Sequence, residues 1–363
     1  MASTPILNSS EHTAYAFYTT AEYWAELQRQ IEGTKIGGRI AIMVMDFNPA
    51  EPFVQTVLQK MLAAADRGVE VWLSVDAHTF MFNPDTRSIS SFWANNSLQK
   101  LPKALAAKLQ LLRELDHKPT GHATIINLPK HSFSNPVAGR SHIKTSIVND
   151  YISVGGCNLQ HAEWIDLMVG WQRKSTADAL FTFVCDVIKQ ESTHTVLDGN
   201  DRCMSLDSVT NLYIDAGRPG QSTIFQQALM LIDSAKQSIT ITCQYFPNSI
   251  TAQHLAAAHR RGVRVEIIYA HPNMQGLVGG FGQRVSTLLE RTRVPAILFK
   301  ARLPASGPAL HAKLIATEQG AIVGSHNYVR AGVRLGTAEI ALVQHTTEFS
   351  KQALDALQRG LVY

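Results

Sequence analysis

The sequence has little cysteine, little excess charge and no long apolar run. Four cysteines in 363 residues, Cys157, Cys185, Cys203 and Cys243, stand at no paired short spacing. That argues against a disulfide scaffold and against a zinc knuckle. No stretch approaches the ~18 consecutive apolar residues of a spanning helix. The opening residues MASTPILNSSEH carry no basic segment leading into an apolar one. No secretory signal is therefore expected, and the expected location is cytoplasmic, with peripheral membrane contact left open. Lys and Arg outnumber Asp and Glu by 33 to 29, a net charge of +4. That permits an anionic partner without requiring one, and it is small for a protein that binds DNA non-specifically. With 45% hydrophobic and 17% charged residues the chain reads as globular, and it is long enough for two domains.

What is present is a repeat. Ile31–Lys35 precedes the alternating run Arg39–Asp46, and Ile232–Lys236 precedes the alternating run Ser238–Tyr245. Each run leads into an Ala-rich amphipathic segment, Gln55–Asp66 and Ala252–Arg260. Each segment ends in Arg-Gly-Val, at Arg67-Gly68-Val69 and Arg261-Gly262-Val263, followed by a β-branched run. The glycine suits a helix C-cap and the run after it a buried strand. Each half thus opens as helix, strand, helix, strand, which predicts helical crossovers between parallel strands. The Ser-, Thr-, Asp- and Gly-rich stretch Glu191–Asn200 reads as the linker. The expected fold is α/β: two similar halves, residues 1–195 and 196–363, each a mixed, largely parallel sheet flanked by helices.

A second repeat lies inside the first. His142-Ile143-Lys144 is followed by Gly155-Gly156-Cys157-Asn158, and His311-Ala312-Lys313 by Gly324-Ser325-His326-Asn327. His to Gly is 13 positions and His to Asn is 16 in both copies. One such pattern should arise by chance on the order of 10⁻³ times per chain, and two far less often. The runs His142–Val148 and His311–Thr317 alternate like strands, which puts His and Lys on one face. Each half then offers an imidazole, an ammonium and a carboxamide, and two halves facing each other make one site.

That set suits phosphodiester chemistry. One neutral histidine attacks phosphorus and the other serves as acid and then base. Lys144 and Lys313 neutralise the phosphoryl oxygens, with Asn158 and Asn327 adding hydrogen bonds. Two fixed ammonium groups do the electrostatic work of a divalent ion, so neither a metal nor another cofactor is expected.

Both segments resemble the HKD signature of the phospholipase D superfamily. The resemblance implies two halves packed about a pseudo-twofold axis with one site between them. It implies that His142 is the nucleophile and His311 the general acid and base. Arg140-Ser141-His142-Ile143-Lys144, Gly155-Gly156-Cys157-Asn158 and Trp164-Ile165-Asp166 are similar to bacterial cardiolipin synthase-like members. Leu310-His311-Ala312-Lys313 and Gly324-Ser325-His326-Asn327 resemble the common second motif. In that family a downstream carboxylate often hydrogen-bonds a catalytic histidine; Asp166 and Glu339 match this position loosely, with Gly156 and Ser325 in support. The motif aspartates are replaced by Asn149 and Glu318, and the His-to-Asn distance is one residue shorter than usual.

The expected activity is that of a metal-independent phosphodiesterase or phosphatidyltransferase, with a phospholipid or other phosphodiester as substrate. Arg140 and His131 are expected to hold a second phosphate. Apolar loop residues in 80–84, 91–94 and 273–281 are candidates for contact with a lipid surface. A nuclease is the alternative, but tight basic groups are few: Arg260-Arg261, Arg291 with Arg293, and Lys300 with Arg302. A catalytically inactive phosphate- or lipid-binding member is the third reading. Oligomeric state is not legible.

Overall fold

The computed structural model describes residues 13–80, 103–127, 139–160, 163–189, 201–245, 247, 249–270 and 308–362. The expected linker at 191–200, and with it the boundary at 195, lies outside the described residues, as do His131 and nearly all of the apolar loop segments.

Two seven-stranded sheets carry the fold. The first holds β1 (Ala16–Thr19), β2 (Arg39–Val44), β3 (Glu70–Asp76), β4 (Gly121–Ile126), β5 (Thr145–Val148), β6 (Tyr151–Gly155) and β7 (Leu167–Gln172) in the order β1-β7-β6-β5-β2-β3-β4. The second holds β8 (Arg202–Ser205), β9 (Thr210–Ala216), β10 (Ser238–Cys243), β11 (Arg264–Tyr269), β12 (Leu314–Thr317), β13 (Gly320–Gly324) and β14 (Ala338–Gln344) in the order β11-β10-β12-β13-β14-β9-β8. Six strands correspond one to one in the same spatial order. Among the described residues each half adds one further edge strand, β4 beside β3 and β8 beside β9.

The sheets are mixed, as expected, but not largely parallel. Among the described residues parallel pairing is confined to β2–β3, β3–β4 and β10–β11. The other neighbours are antiparallel, among them β5–β6–β7 and β12–β13–β14. Helices lie in the connections between the parallel strands: α2 (Pro52–Asp66) joins β2 to β3, the helix Lys103–Asp116 lies between β3 and β4, and α6 (Ser249–Arg260) joins β10 to β11. The motif strands are joined by tight turns, which force antiparallel pairing. Gly68 at φ +84° and Gly262 at φ +90° end the two crossover helices in the left-handed conformation that the Arg-Gly-Val motif predicted.

The alternation of β2 divides the core. Ile40, Ile42 and Val44 face Leu27 and Ile31 of α1 (Thr20–Gly33) and Val57, Leu58 and Met61 of α2. Ala41 and Met43 join a second cluster that runs through both halves, including Ile147, Val154 and Val169 with Leu314, Val323 and Leu342. α5 (Thr223–Ser234) and α6 cover the outer face of the second sheet, with Ile224, Leu231 and Leu255 on Ile239 and Ile241. Each buried Leu, Ile or Val contributes roughly 1.5–3 kcal/mol, so the shared cluster binds the halves as one body. α8 (Thr347–Leu361) closes the seam: Phe349 packs on Phe17 of β1 at 4.8 Å between ring centroids. All four cysteines are free thiols. Among the described residues no helix is long and apolar enough to cross a membrane.

Candidate active site

The His-x-Lys segments are not strands of their own sheets. β5 begins at Thr145 and β12 at Leu314, one residue after each lysine. The expected strands from His142 and His311 are thus shorter, because the segments before them pair with the opposite half. His142 donates its backbone N–H to Ala338 at 2.8 Å, and Ala338 donates to Arg140 at 2.8 Å. The second copy repeats this: His311 donates to Ile165 at 2.8 Å and Ile165 to Ala309 at 2.9 Å. Each histidine is therefore laid beside the strand start that carries the other half's carboxylate.

The result is a crossed pair. His142 Nδ1 meets Glu339 Oε2 at 2.9 Å, and His311 Nδ1 meets Asp166 Oδ2 at 2.6 Å. A carboxylate on Nδ1 puts the ring proton there and leaves Nε2 as the reactive nitrogen. Lys144 donates to its own motif's His142 carbonyl at 2.7 Å, and Lys313 likewise to the His311 carbonyl. Both lysines are 1% exposed. Burial pushes Lys144 down to about 8 and Lys313 down to about 7.

The two histidines are held below their ordinary value. For His142 the cause is burial, then Lys144 and Lys313; for His311 it is burial, then Lys313. The carboxylates differ. Burial pushes Asp166 up, but His311 and Lys313 outweigh it and hold it below the usual range. Burial of Glu339 wins over His326, Lys144 and Ser325, and its carboxyl is raised.

The supporting residues divide as well. Ser325 donates its hydroxyl to Glu339 Oε2 at 2.5 Å. Its counterpart Gly156 has no side chain because Asp166 fills the space: a Cβ there would lie 2.0 Å from Asp166 Oδ1. Asn158 Oδ1 accepts from the backbone N–H groups of Met45 and Asp46 at 3.2 and 3.1 Å. Asn327 Oδ1 is buried with no partner among the described residues.

Arg140, expected as a substrate contact, is engaged by the protein itself. It is 4% exposed, 3.4 Å from Asp76 Oδ1 and 2.8 Å from the Asn127 carbonyl. Asp76 also accepts the Ser141 N–H at 2.7 Å, so Arg140 braces the segment entering His142 from behind. The replaced motif aspartates lie away from the histidines. Asn149, at φ +55°, accepts the Arg39 N–H at 3.2 Å. Glu318 accepts the Lys236 and Ser238 N–H groups at 2.7 and 3.1 Å. Arg39 and Ser238 start β2 and β10, so both residues tie a hairpin turn to the same neighbouring strand.

Sequence reading missed Asp46 and His78. Asp46 follows β2, and its Oδ1 lies 3.1 Å from His78 Nδ1. Burial pushes its carboxyl up, but the His78 hydrogen bond and charge, then Lys144 and His142, bring it below the usual range. The only signal was position, at the C-terminal end of a strand beside the motif strand. Trp164, quoted only as part of a motif, lies 5.0 Å from the His311 ring. Among the described residues no cluster of three or more His, Cys, Asp or Glu side chains is arranged to hold a metal ion.

Residues 229–360, which include the second motif and Glu339, match a family model described as cardiolipin synthase, PLD-like domain. Among solved structures, phosphatidylserine synthase of Haemophilus influenzae Rd KW20 is similar over 98% of this chain and 87% of its own, with a TM-score of 0.68 and 14% identity. Polyphosphate kinase from Porphyromonas gingivalis is similar over 99% of this chain and 51% of its own, with a TM-score of 0.54 and 11% identity. Nuc, a phospholipase D family member from Salmonella typhimurium, is 20% identical over 41% of this chain and 93% of its own, with a TM-score of 0.32. No curated protein matches in a sequence comparison.

Proposed function

We propose that the chain, whose residues 229–360 match the family model described as cardiolipin synthase, PLD-like domain, is a metal-independent phosphodiesterase or phosphatidyltransferase working through a phosphohistidine. The observation that carries this reading is the crossed pair, His142 on Glu339 and His311 on Asp166, with a buried lysine beside each histidine.

Nε2 of neutral His142 attacks the phosphorus of a diester. The ester oxygen leaves with its electron pair and takes a proton from Nε2 of His311. His311 then removes a proton from water or an incoming alcohol, whose oxygen attacks phosphorus and releases His142. Lys144 and Lys313 face the charge on the phosphoryl oxygens, and the Asn158 amide N–H₂ adds donors. Burial keeps both histidines neutral in the free site. The diester anion supplies the opposing charge with which His311 takes up its proton. The carboxylate behind each histidine, and the turn role of Asn149 and Glu318, favour an active member over an inactive one.

The test is turnover in EDTA of phosphatidylglycerol and phosphatidylcholine vesicles, with and without glycerol, and of single- and double-stranded DNA. Wild type is compared with His142→Ala and His311→Ala. Histidine-dependent lipid conversion is expected, and transfer to glycerol identifies the phosphatidyltransferase. Cleavage of DNA with lipid untouched moves the protein to the nuclease branch. Silence on all substrates, or loss on chelation restored by a divalent ion, overturns the proposal.

A further inference from the structure

Asp46 has a place in the site that the phosphoryl chemistry does not use. The β2–β5 register pairs Met43 with Thr145, next to Lys144. Asn158 holds the Asp46 backbone N–H, so this carboxylate is positioned by a motif residue. Its side chain is 18% exposed and that of His78 25%. The carboxylates behind the histidines, Asp166 and Glu339, are only 3% and 5% exposed. Asp46 thus presents a negative charge at the open edge of a site whose floor is cationic.

A carboxylate in that place repels a phosphoryl group and attracts hydrogen-bond donors. It suits what hangs from the phosphate. The repeat puts a different residue at the corresponding place in the second half: Tyr245 stands seven positions after Ser238, as Asp46 stands seven after Arg39. Tyr245 is 37% exposed and feels the Asp46 charge. At this repeat position one half carries an anion hydrogen-bonded to an imidazole and the other an aromatic ring, so the two arms of a bound diester meet unequal surroundings.

We infer that Asp46, hydrogen-bonded to His78, recognises the polar headgroup of the substrate, accepting hydrogen bonds from a hydroxyl- or ammonium-bearing alcohol esterified to the phosphate. This rests on the phosphodiesterase reading above. Hydroxyl and ammonium headgroups share the donor chemistry; a trimethylammonium headgroup carries charge without an N–H donor.

The experiment measures kcat/KM on four diesters: dihexanoyl phosphatidylglycerol, phosphatidylethanolamine and phosphatidylcholine, and bis(4-nitrophenyl) phosphate. Proteins are wild type, Asp46→Asn and His78→Ala. Wild type is expected to prefer the glycerol and ethanolamine esters. Asp46→Asn is expected to lose about tenfold or more on those two, chiefly in KM, and less than about threefold on the choline ester and the aryl diester. His78→Ala, which leaves the carboxylate but not its support, shifts preference the same way; it decides the matter if Asp46→Asn does not fold. Equal loss on all four diesters, or an unchanged preference, overturns the inference. Absence of His142-dependent turnover of any diester in wild type overturns the phosphodiesterase reading itself.

Discussion

Replacing Asp166 by Asn tests the division of labour between the histidines. Asp166 Oδ2 lies 2.6 Å from His311 Nδ1 and its Oδ1 accepts the Leu167 N–H at 2.9 Å. The Asp166 and His311 side chains are 3% and 5% exposed, so water cannot take the lost partner's place. In the proposed mechanism His311 carries the proton for the leaving group, and its Nδ1–H then rests on a carboxylate. A hydrogen bond to a charged group contributes roughly 1.5–3 kcal/mol. At ~1.4 kcal/mol per decade the substitution slows the protonated step about 10- to 150-fold. An asparagine that offers its N–H₂ to Nδ1 also favours the wrong tautomer, which pushes the loss toward the upper end. The dependence on leaving group is the sharper signature. An alkoxide must be protonated to leave; 4-nitrophenolate need not be. Rapid-quench measurement of phosphohistidine formation should therefore show Asp166→Asn slow on an alkyl diester and near wild type on bis(4-nitrophenyl) phosphate. Glu339→Gln, which weakens the support of the attacking His142, should slow both. Equal slowing of both diesters by Asp166→Asn would refute the assignment of His311 as the acid.

Other consequences are as direct. In the proposed mechanism the ammonium forms of Lys313 and Lys144 stabilise phosphoryl charge, and burial brings their pKa values to about 7 and about 8. A group that works protonated loses its effect above its pKa, so kcat/KM should fall as pH rises through 7 to 8. The kcat limb should lie higher, because a bound diester anion favours the ammonium; a kcat/KM profile flat to pH ~9.5 contradicts this. Gly156→Ala puts a Cβ 2.0 Å from Asp166 Oδ1. It should reduce turnover of alkyl diesters at least as strongly as Asp166→Asn and destabilise the fold by about 1–3 kcal/mol in a denaturant titration. Asn149→Ala and Glu318→Ala remove turn bonds remote from the histidines. Each should cost about 1 kcal/mol in the same titration and leave kcat within about twofold.

Much of this was legible along the chain because it is local. The Arg-Gly-Val ends of the crossover helices are a matter of one residue's conformational freedom, and Gly68 and Gly262 have the positive φ that reading required. The strands Glu70–Asp76 and Arg264–Tyr269 follow from β-branched runs. The sense of the sheets was misjudged because the crossover at the start of each half was extended to strands joined by turns. Two residue types at fixed spacing also singled out the site, since an imidazole and an ammonium two residues apart, repeated, define a chemistry wherever they fold.

Other features depend on groups far apart in sequence. The two histidine–carboxylate contacts span 197 and 145 residues. No local rule says that each carboxylate serves the other half's histidine. Arg140 reads as a substrate phosphate contact in sequence, and only the fold sets it against Asp76. Asp46 reads as the end of a strand, and only the fold brings it close enough to feel the charges of Lys144 and His142. The residue types and their repetition were thus determined by the sequence itself. Which carboxylate meets which histidine, how far burial lowers the lysines and what stands at the mouth of the site were decided by the tertiary structure. Burial and charge act through space, and the pairing of the two halves creates the space in which they act.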